Sequence, residues 1–257
     1  MMLPLTPPLT SNIQKGGALL DDCRRIVEAW DRDGTPEENI ARISDENLLA
    51  KASRTRSDDV LHRILEPRLV APGPHVIPAL KGLLAEPRAF IEACYYEASR
   101  DDTLLAAFAE EPLWSWWKEG RVGVGADDVV GWFATLAKDG RIPTWSDSVR
   151  AKAARGLLAA LRDFGVLRGA ARKEIAPPAM SPRGFAYVAW REHEQGASSR
   201  ALAASNVWRR WLLEPDRVLD LFGQASRNGV LRFSSAGSVV RVDWLARSLA
   251  EVTGAAA

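Results

Sequence analysis

Thr144 to Lys173 reads TWSDSVRAKAARGLLAALRDFGVLRGAARK, and how this stretch folds decides how the rest of the chain is read. Seven cationic residues, Arg150, Lys152, Arg155, Arg162, Arg168, Arg172 and Lys173, stand against Asp147 and Asp163. That is a net of +5 in a chain whose total is +1. Ser146 predicts an N-cap, because its hydroxyl can accept a bond from an otherwise unpaired N–H of the first turn. At about 100° per residue, Val149, Ala153, Leu157, Ala160, Leu161 and Phe164 share one helix face, with Lys152, Arg155 and Arg162 nearly opposite. Gly165 stops the helix. Gly169 punctuates a second basic cluster that runs into Ile175 and the pair Pro177-Pro178. A basic amphipathic helix, a tight turn and a short basic extended segment together read as a winged helix-turn-helix. The same residues also read as a solvated helix of any soluble protein, and the periodicity alone does not choose between the two.

Moving upstream, the charge changes sign. Between Glu86 and Asp139 eleven acidic residues face five basic ones, a net of −6. This polarity, in a chain near neutrality, suits a protein with one face for a polyanion and another for a protein. The rest of the composition is that of a globular chain: 47% hydrophobic and 26% charged over 257 residues, enough for one large or two to three small domains. No apolar run approaches the ~20 residues of a membrane span. The opening MMLPLTPPLTSN lacks the basic and apolar parts of a signal peptide and reads as extended over Met1–Ser11. Cys23 and Cys94 lie in helical patterns without a partner motif, which places the chain in a reducing, cytoplasmic compartment.

The first seventy residues read as three short helices. Leu19, Leu20, Cys23, Ile26, Val27 and Trp30 make the first stripe. Thr35 caps a second helix with Pro36 at its first position and Ile40 and Ile43 inward. After an apolar turn at Leu48 and Leu49, the polar segment Ser53–Ser57 leads to a third, capped by Ser57, with Val60, Leu61, Ile64 and Leu65 inward and Arg63 outward. A basic, hydroxyl-rich turn before a third helix is the helix-turn-helix layout, whose helix start can meet phosphates and base edges. A plain three-helix unit with a wet basic turn fits equally. Pro67, Pro72, Pro74 and Pro78 break structure and suggest a boundary near residues 71–75.

The acidic middle is helical, with Trp114, Trp116, Trp117, Trp132 and Phe133 as its large packers. GRVGVGADD at Gly120–Asp128 lacks the third glycine of a dinucleotide fingerprint and reads as a loop before a helix at Asp127–Lys138. Downstream, a helix with Phe185 and Val188 ends at GASS, and a helix through Val218 and Phe222 follows. VLRFSSAGSVVRVDW then alternates as a β-hairpin carrying Arg232 and Arg241, a second winged-helix-like tail. The expected fold is mostly α: helical bundle units with helix-turn-helix or winged-helix modules and short β-hairpin wings. The expected division is 1–72 helix-turn-helix-like, 73–140 acidic and Trp-rich, and 141–257 winged-helix-like.

Reactive chemistry is not signalled. His62, His75 and His193 fall one to a region, and REHEQ around His193 lacks the second histidine of a zinc motif. The pairs Asp58/Asp59, Asp101/Asp102 and Asp127/Asp128 sit at helix starts, where they offset the helix dipole. No catalytic residue, metal site or cofactor is assigned.

SNIQKGGALLDDCRRIVEAW at residues 11–30, the segment around LLAKASRTRSDDVLHRIL, the basic stretch quoted above with its following prolines, and the closing GVLRF hairpin with VDW together resemble the BrxA family of BREX phage-resistance systems. The resemblance runs from about Ser11 to Val252. It implies a small, mostly helical, non-enzymatic protein that binds double-stranded DNA through winged-helix-type units and works beside other BREX proteins. It also implies an N-terminal part similar to the RNA-binding NusB antitermination fold. Position and charge nominate Lys51, Ser53, Arg54, Thr55, Arg56 and Arg63 in one unit, and Lys152, Arg155, Arg162, Arg168, Arg172 and Lys173 in the other. The alternatives are a protein-interaction scaffold docked through the acidic middle, a NusB-like RNA binder, and an enzyme using scattered carboxylates.

Overall fold

The computed structural model describes residues 9, 13–170, 172–237 and 239–255, so the extended reading of Met1–Ser11 lies outside the described residues apart from Leu9. The chain opens with α1 (Ile13–Gly16), α2 (Leu20–Ala29), α3 (Pro36–Asp45) and α4 (Arg54–Val60). Then come α5 (Val76–Gly82), α6 (Pro87–Asp101), α7 (Thr103–Phe108), α8 (Trp114–Lys118), β1 (Gly123–Val124) and α9 (Ala126–Lys138). The basic stretch supplies α10 (Asp147–Asp163), β2 (Leu167–Arg168) and β3 (Lys173–Ile175). The last third holds α11 (Pro182–Glu194), α12 (Ser199–Ala203), α13 (Pro215–Arg227), β4 (Leu231–Ala236), β5 (Val239–Trp244) and α14 (Leu249–Thr253). Helix makes up 62% of the described residues, beside small antiparallel sheets, which is the mostly α class expected.

Local chemistry explains most of the ends. Thr35 and Glu38 form a reciprocal capping box at α3, with Pro36 at the first position. Ser146 accepts the Val149 N–H at the start of α10, as its sequence predicts. Two boundaries differ from expectation. The cap of α4 is Ser53, whose hydroxyl accepts the Arg56 N–H, not Ser57, which is buried inside the helix. The basic segment is therefore the first turn of the helix rather than a turn before it. The second correction concerns Pro67, which does not break the chain: α4 widens into a π-helical run over Leu61–Val70 that contains it. A proline has no N–H for the i−4 carbonyl, and a wider turn relieves the clash of its ring. Pro112 sits in the same way inside Ala109–Leu113.

The chain divides into two compact units. The first comprises Met1–Ala18, Ala98–Pro178 and Arg209–Leu212. In it α10 packs its apolar face on α1 and α9, burying Ala153, Ala154, Leu157, Leu158, Ala160 and Leu161. The Phe108 ring meets Trp116 and Trp132 edge-on, and Phe133 meets Trp145 in the same way, so the tryptophans of the middle region are packers, as expected. Beside the helices lies a three-stranded antiparallel sheet in the order β1-β3-β2. Gly123 pairs with Glu174 and Leu167 with Ile175. The glycine-rich loop thus carries a strand, although two residues are too short to show any period.

The second unit comprises Leu19–Glu97, Ala179–Trp208 and Leu213–Ala257. Phe185 is its centre, stacked on Trp208 at 4.5 Å and meeting Phe222 edge-on at 4.8 Å. The β4–β5 hairpin is present, with Arg232 opposite Asp243 and Ser234 opposite Arg241. Hydroxyls from neighbouring helices close both of its edges: Ser226 accepts the Phe233 N–H, while Ser199 accepts from Val242 N and donates to Val242 O. A two-stranded sheet exposes two edges that would otherwise invite further pairing.

Two buried clusters of this unit pair their charges internally. The Arg191 guanidinium donates to Glu97 and Glu194, and the Tyr187 hydroxyl donates to Glu97. Glu92 is nearly inaccessible and accepts from the Ser181 N–H and hydroxyl at the start of α11. Burial pushes its carboxyl from 4.5 up to about 7 against those bonds and the Arg88 charge. A carboxyl raised by folding stabilises the fold below its unfolded pKa, and that stability is lost as pH climbs toward the folded value. At ~1.4 kcal/mol per pKa unit the contribution is of order 3 kcal/mol. Wild-type melting temperature is therefore expected to fall between pH 5 and pH 8 more than that of Glu92→Gln. Parallel melting profiles in that window contradict the assignment.

Candidate functional site

The twelve nominated residues fall in both units, and the structure treats the two groups differently. Those of the second unit lie around the start of α4. Lys51 is paired with the nearly buried Asp22 at 2.6 Å. Arg54 pairs with Asp45 at 3.0 Å, and Arg63 with Asp59 at 3.1 Å. Ser53 is spent on capping, while Thr55 and Arg56 are exposed. The two exposed pairs, Arg54–Asp45 and Arg63–Asp59, are each worth only up to about 1 kcal/mol, so neither is locked. The acids nevertheless cancel the local field that would draw in a polyanion. Sequence spacing shows only the i, i+4 pair of Asp59 with Arg63; the other two acids come from α2 and α3.

In the first unit the cations are displayed. The buried stripe of α10 leaves Ser148, Lys152, Arg155 and Arg162 on its outer side, all exposed. Arg162 is bonded to Asp163 through Nε and Nη2, and Arg150 is tied to Asp147. Among the described residues no ion pair is seen for Lys152, Arg155 or Arg168. The β2–β3 hairpin follows α10 directly: Gly165, at φ 83, turns the chain out of the helix, and Gly169, at φ 89, begins the hairpin turn. Arg168 and Arg172 are exposed on either side of that turn.

Lys173 is not displayed. Its side chain is buried, and its ammonium donates to the Gly169 carbonyl at 2.9 Å and to the Ala170 carbonyl. It shapes the hairpin turn from inside and presents no charge outward. Charge counting cannot tell it from Arg172, because only the register of β3 decides which of two neighbouring cations turns inward.

One group escaped sequence reading. Arg121 donates from Nε to the Gly123 carbonyl at 2.8 Å and pairs with Asp128 at 2.5 Å. Its guanidinium also lies 4.5 Å from the centre of the Trp116 ring. Asp128 in turn accepts the Gly125 N–H at the N-terminus of α9. These contacts fasten the two-residue strand β1, and so the edge of the sheet, to α8 and α9. From sequence alone Asp127/Asp128 read only as dipole-offsetting acids.

As for chemistry, His62 bonds Glu66 at 2.9 Å, His75 bonds Arg191 at 2.9 Å, and His193 stacks on Trp244. Among the described residues no group of three or more His, Cys, Asp or Glu is placed to hold a metal ion. No helix of the described residues is long and apolar enough to cross a membrane.

Comparison with known proteins adds a family. A family model described as BrxA matches residues 8–192, which takes in α10 and the β2–β3 hairpin. Among solved structures the chain is similar to an uncharacterized protein from Magnetospirillum magneticum. The two share 21% identity and a TM-score of 0.59 over 80% of this chain and 98% of that one, a likeness of fold. A search of curated proteins finds no match.

The burial of Lys173 has a direct consequence. Lys173→Ala is expected to destabilise the protein by about 1–3 kcal/mol, the cost of two lost charge-assisted bonds. Lys152→Ala, on the open face of α10, should stay within about 0.5 kcal/mol of wild type. Urea unfolding of the two variants distinguishes them, and equal effects contradict the placement.

Proposed function

The chain belongs to the BrxA family and is thus a BREX-associated protein, and from that premise we propose that it binds double-stranded DNA without chemistry, through α10 and the β2–β3 hairpin. The observation that carries this reading is the outer face of α10 and its hairpin: Lys152, Arg155, Arg162, Arg168 and Arg172, carried on one helix and the hairpin that follows it and all exposed. The order of elements around them supports it. Helix α8, strand β1, helices α9 and α10, then a hairpin pairing in the order β1-β3-β2, follow the sequence of elements in a winged helix, which supports the reading. In that arrangement the helix before the hairpin enters a groove and the hairpin flanks it. A B-form major groove is wide enough for a helix such as α10. The deep, narrow major groove of A-form RNA is not, which favours DNA over the RNA-binding alternative.

Contacts of this kind are mostly to phosphates. Arginine and lysine displace condensed counterions, so affinity falls steeply with salt while sequence preference stays low. Five cations imply a slope of log affinity against log salt of about −4.5 if all engage. Lys152 and Arg155 are the side chains on α10 best placed to add base contacts, and guanine edges suit both. Other BREX proteins are the natural partners within a defence complex, and a cytoplasmic location follows from that role.

The set around α4, from Lys51 to Arg63, contributes less in this reading because Asp22, Asp45 and Asp59 offset it. The β4–β5 tail is likewise balanced, since Glu214, Asp216 and Asp220 stand exposed along α13.

Charge reversal tests the assignment. Lys152→Glu with Arg155→Glu is expected to weaken binding of a short duplex by about tenfold or more in a gel shift at fixed salt. Arg54→Glu with Arg56→Glu should weaken it less. Unchanged binding in the first double variant discards the α10 face. A protein that shifts no duplex at low salt but co-purifies with a partner is a scaffold instead.

A further inference from the structure

The hairpin turn carries an arginine whose position is set from outside the hairpin. The Arg172 guanidinium lies against the backbone of Gly123 on β1. A Cβ built on Gly123 would stand 2.7 Å from Arg172 Nε and 3.3 Å from its Cζ, and its three nearest atoms all belong to Arg172. Glycine is needed there for the space it leaves, since Gly123 is not among the positive-φ glycines. Asp128 fastens the other end of β1, accepting the Gly125 N–H. It is paired with Arg121 at 2.5 Å and feels the charge of Arg172 as well. Partial burial pushes its carboxyl up, but the Arg121 and Gly125 bonds and both arginine charges outweigh this and hold it below the ordinary aspartate range. The ion pair of Asp128 is with Arg121. Arg121 spends its donors on Asp128 and the Gly123 carbonyl. Arg172 is exposed and keeps most of its five donors for a ligand.

We propose that Gly123 is a positioning residue for the DNA contact of the hairpin: the space left by the missing Cβ lets the Arg172 side chain lie against β1, at the angle from which it grips a phosphate. The inference rests on the DNA-binding reading of α10 and the hairpin and adds to it a residue that touches no DNA. Simple electrostatics does not foresee it, because a field argument alone gives an uncharged methyl at Gly123 no effect on binding.

The test is fluorescence anisotropy of the full chain with a labelled duplex of about 30 base pairs across a salt series, on wild type, Gly123→Ala, Arg172→Ala and the Gly123→Ala/Arg172→Ala double variant. Gly123→Ala alters no charge, and its methyl displaces only the far part of a flexible side chain, so its melting temperature should match wild type. It is expected to weaken binding severalfold and to make the salt slope shallower by about 0.9, one phosphate contact. In the Arg172→Ala background the same methyl should have no effect, because the two act through one contact. The proposal is overturned if Gly123→Ala binds like wild type, or if its effect persists undiminished without Arg172. Failure of the underlying reading looks different: wild type itself then shows no salt-dependent duplex binding, or binds undiminished with Lys152 and Arg155 reversed.

Discussion

The burial of one face of α10 is the constraint on which the first unit depends. Leu157, Leu158 and Leu161, with Ala153, Ala154 and Ala160, are shut against α1 and α9. Each buried leucine is worth about 1.5–3 kcal/mol relative to exposure. The alanines among them let helices approach closely, and any rotation of α10 would expose the leucines and bury Lys152 or Arg155 unpaired, at several kcal/mol. The outward direction of the cations is therefore a by-product of core packing. No interaction on the outer face is needed to hold them there, which leaves them available to a ligand.

From α10 the chain can go only one way. Gly165 turns it and Gly169 folds it back, and Lys173 ties the turn from beneath. The hairpin gains a third strand from β1, and β1 is held by Arg121 bridging its carbonyl to Asp128 and Trp116. A sheet of two- and three-residue strands has little intrinsic stability. Here a buried lysine, a paired carboxylate and an aromatic face supply what ladder length does not. The basic surface of the first unit is thus built twice, once by hydrophobic burial in the helix and once by polar fastening in the hairpin.

Much of this was legible in the sequence. The Ser146 cap, the α10 stripe, the stop at Gly165 and the β4–β5 hairpin follow from period and capping chemistry, which act over a few residues. What the sequence hid acts between segments. Asp22 and Asp45 reach Lys51 and Arg54 from other helices, so a basic run that looks open is largely neutralised. Strand β1 is too short for a period, and its presence depends on a partner fifty residues on. Pro67 reads as a breaker because local rules assume a 3.6-residue helix, whereas the surrounding π turns accommodate it. Lys173 and Arg172 are chemically alike, and only the register of β3 separates their roles.

The central claim is that α10 and its hairpin form the surface that grips a DNA backbone. Amide hydrogen exchange of the protein alone and with saturating 30-base-pair duplex at low salt tests it most directly, because it reports every segment at once without altering a residue. The account predicts slowed exchange concentrated in the first turns of α10 and across Leu167–Ile175, with Arg54–Val70 and the β4–β5 hairpin little changed. Protection confined to those other segments, with α10 exchanging as in the free protein, contradicts it.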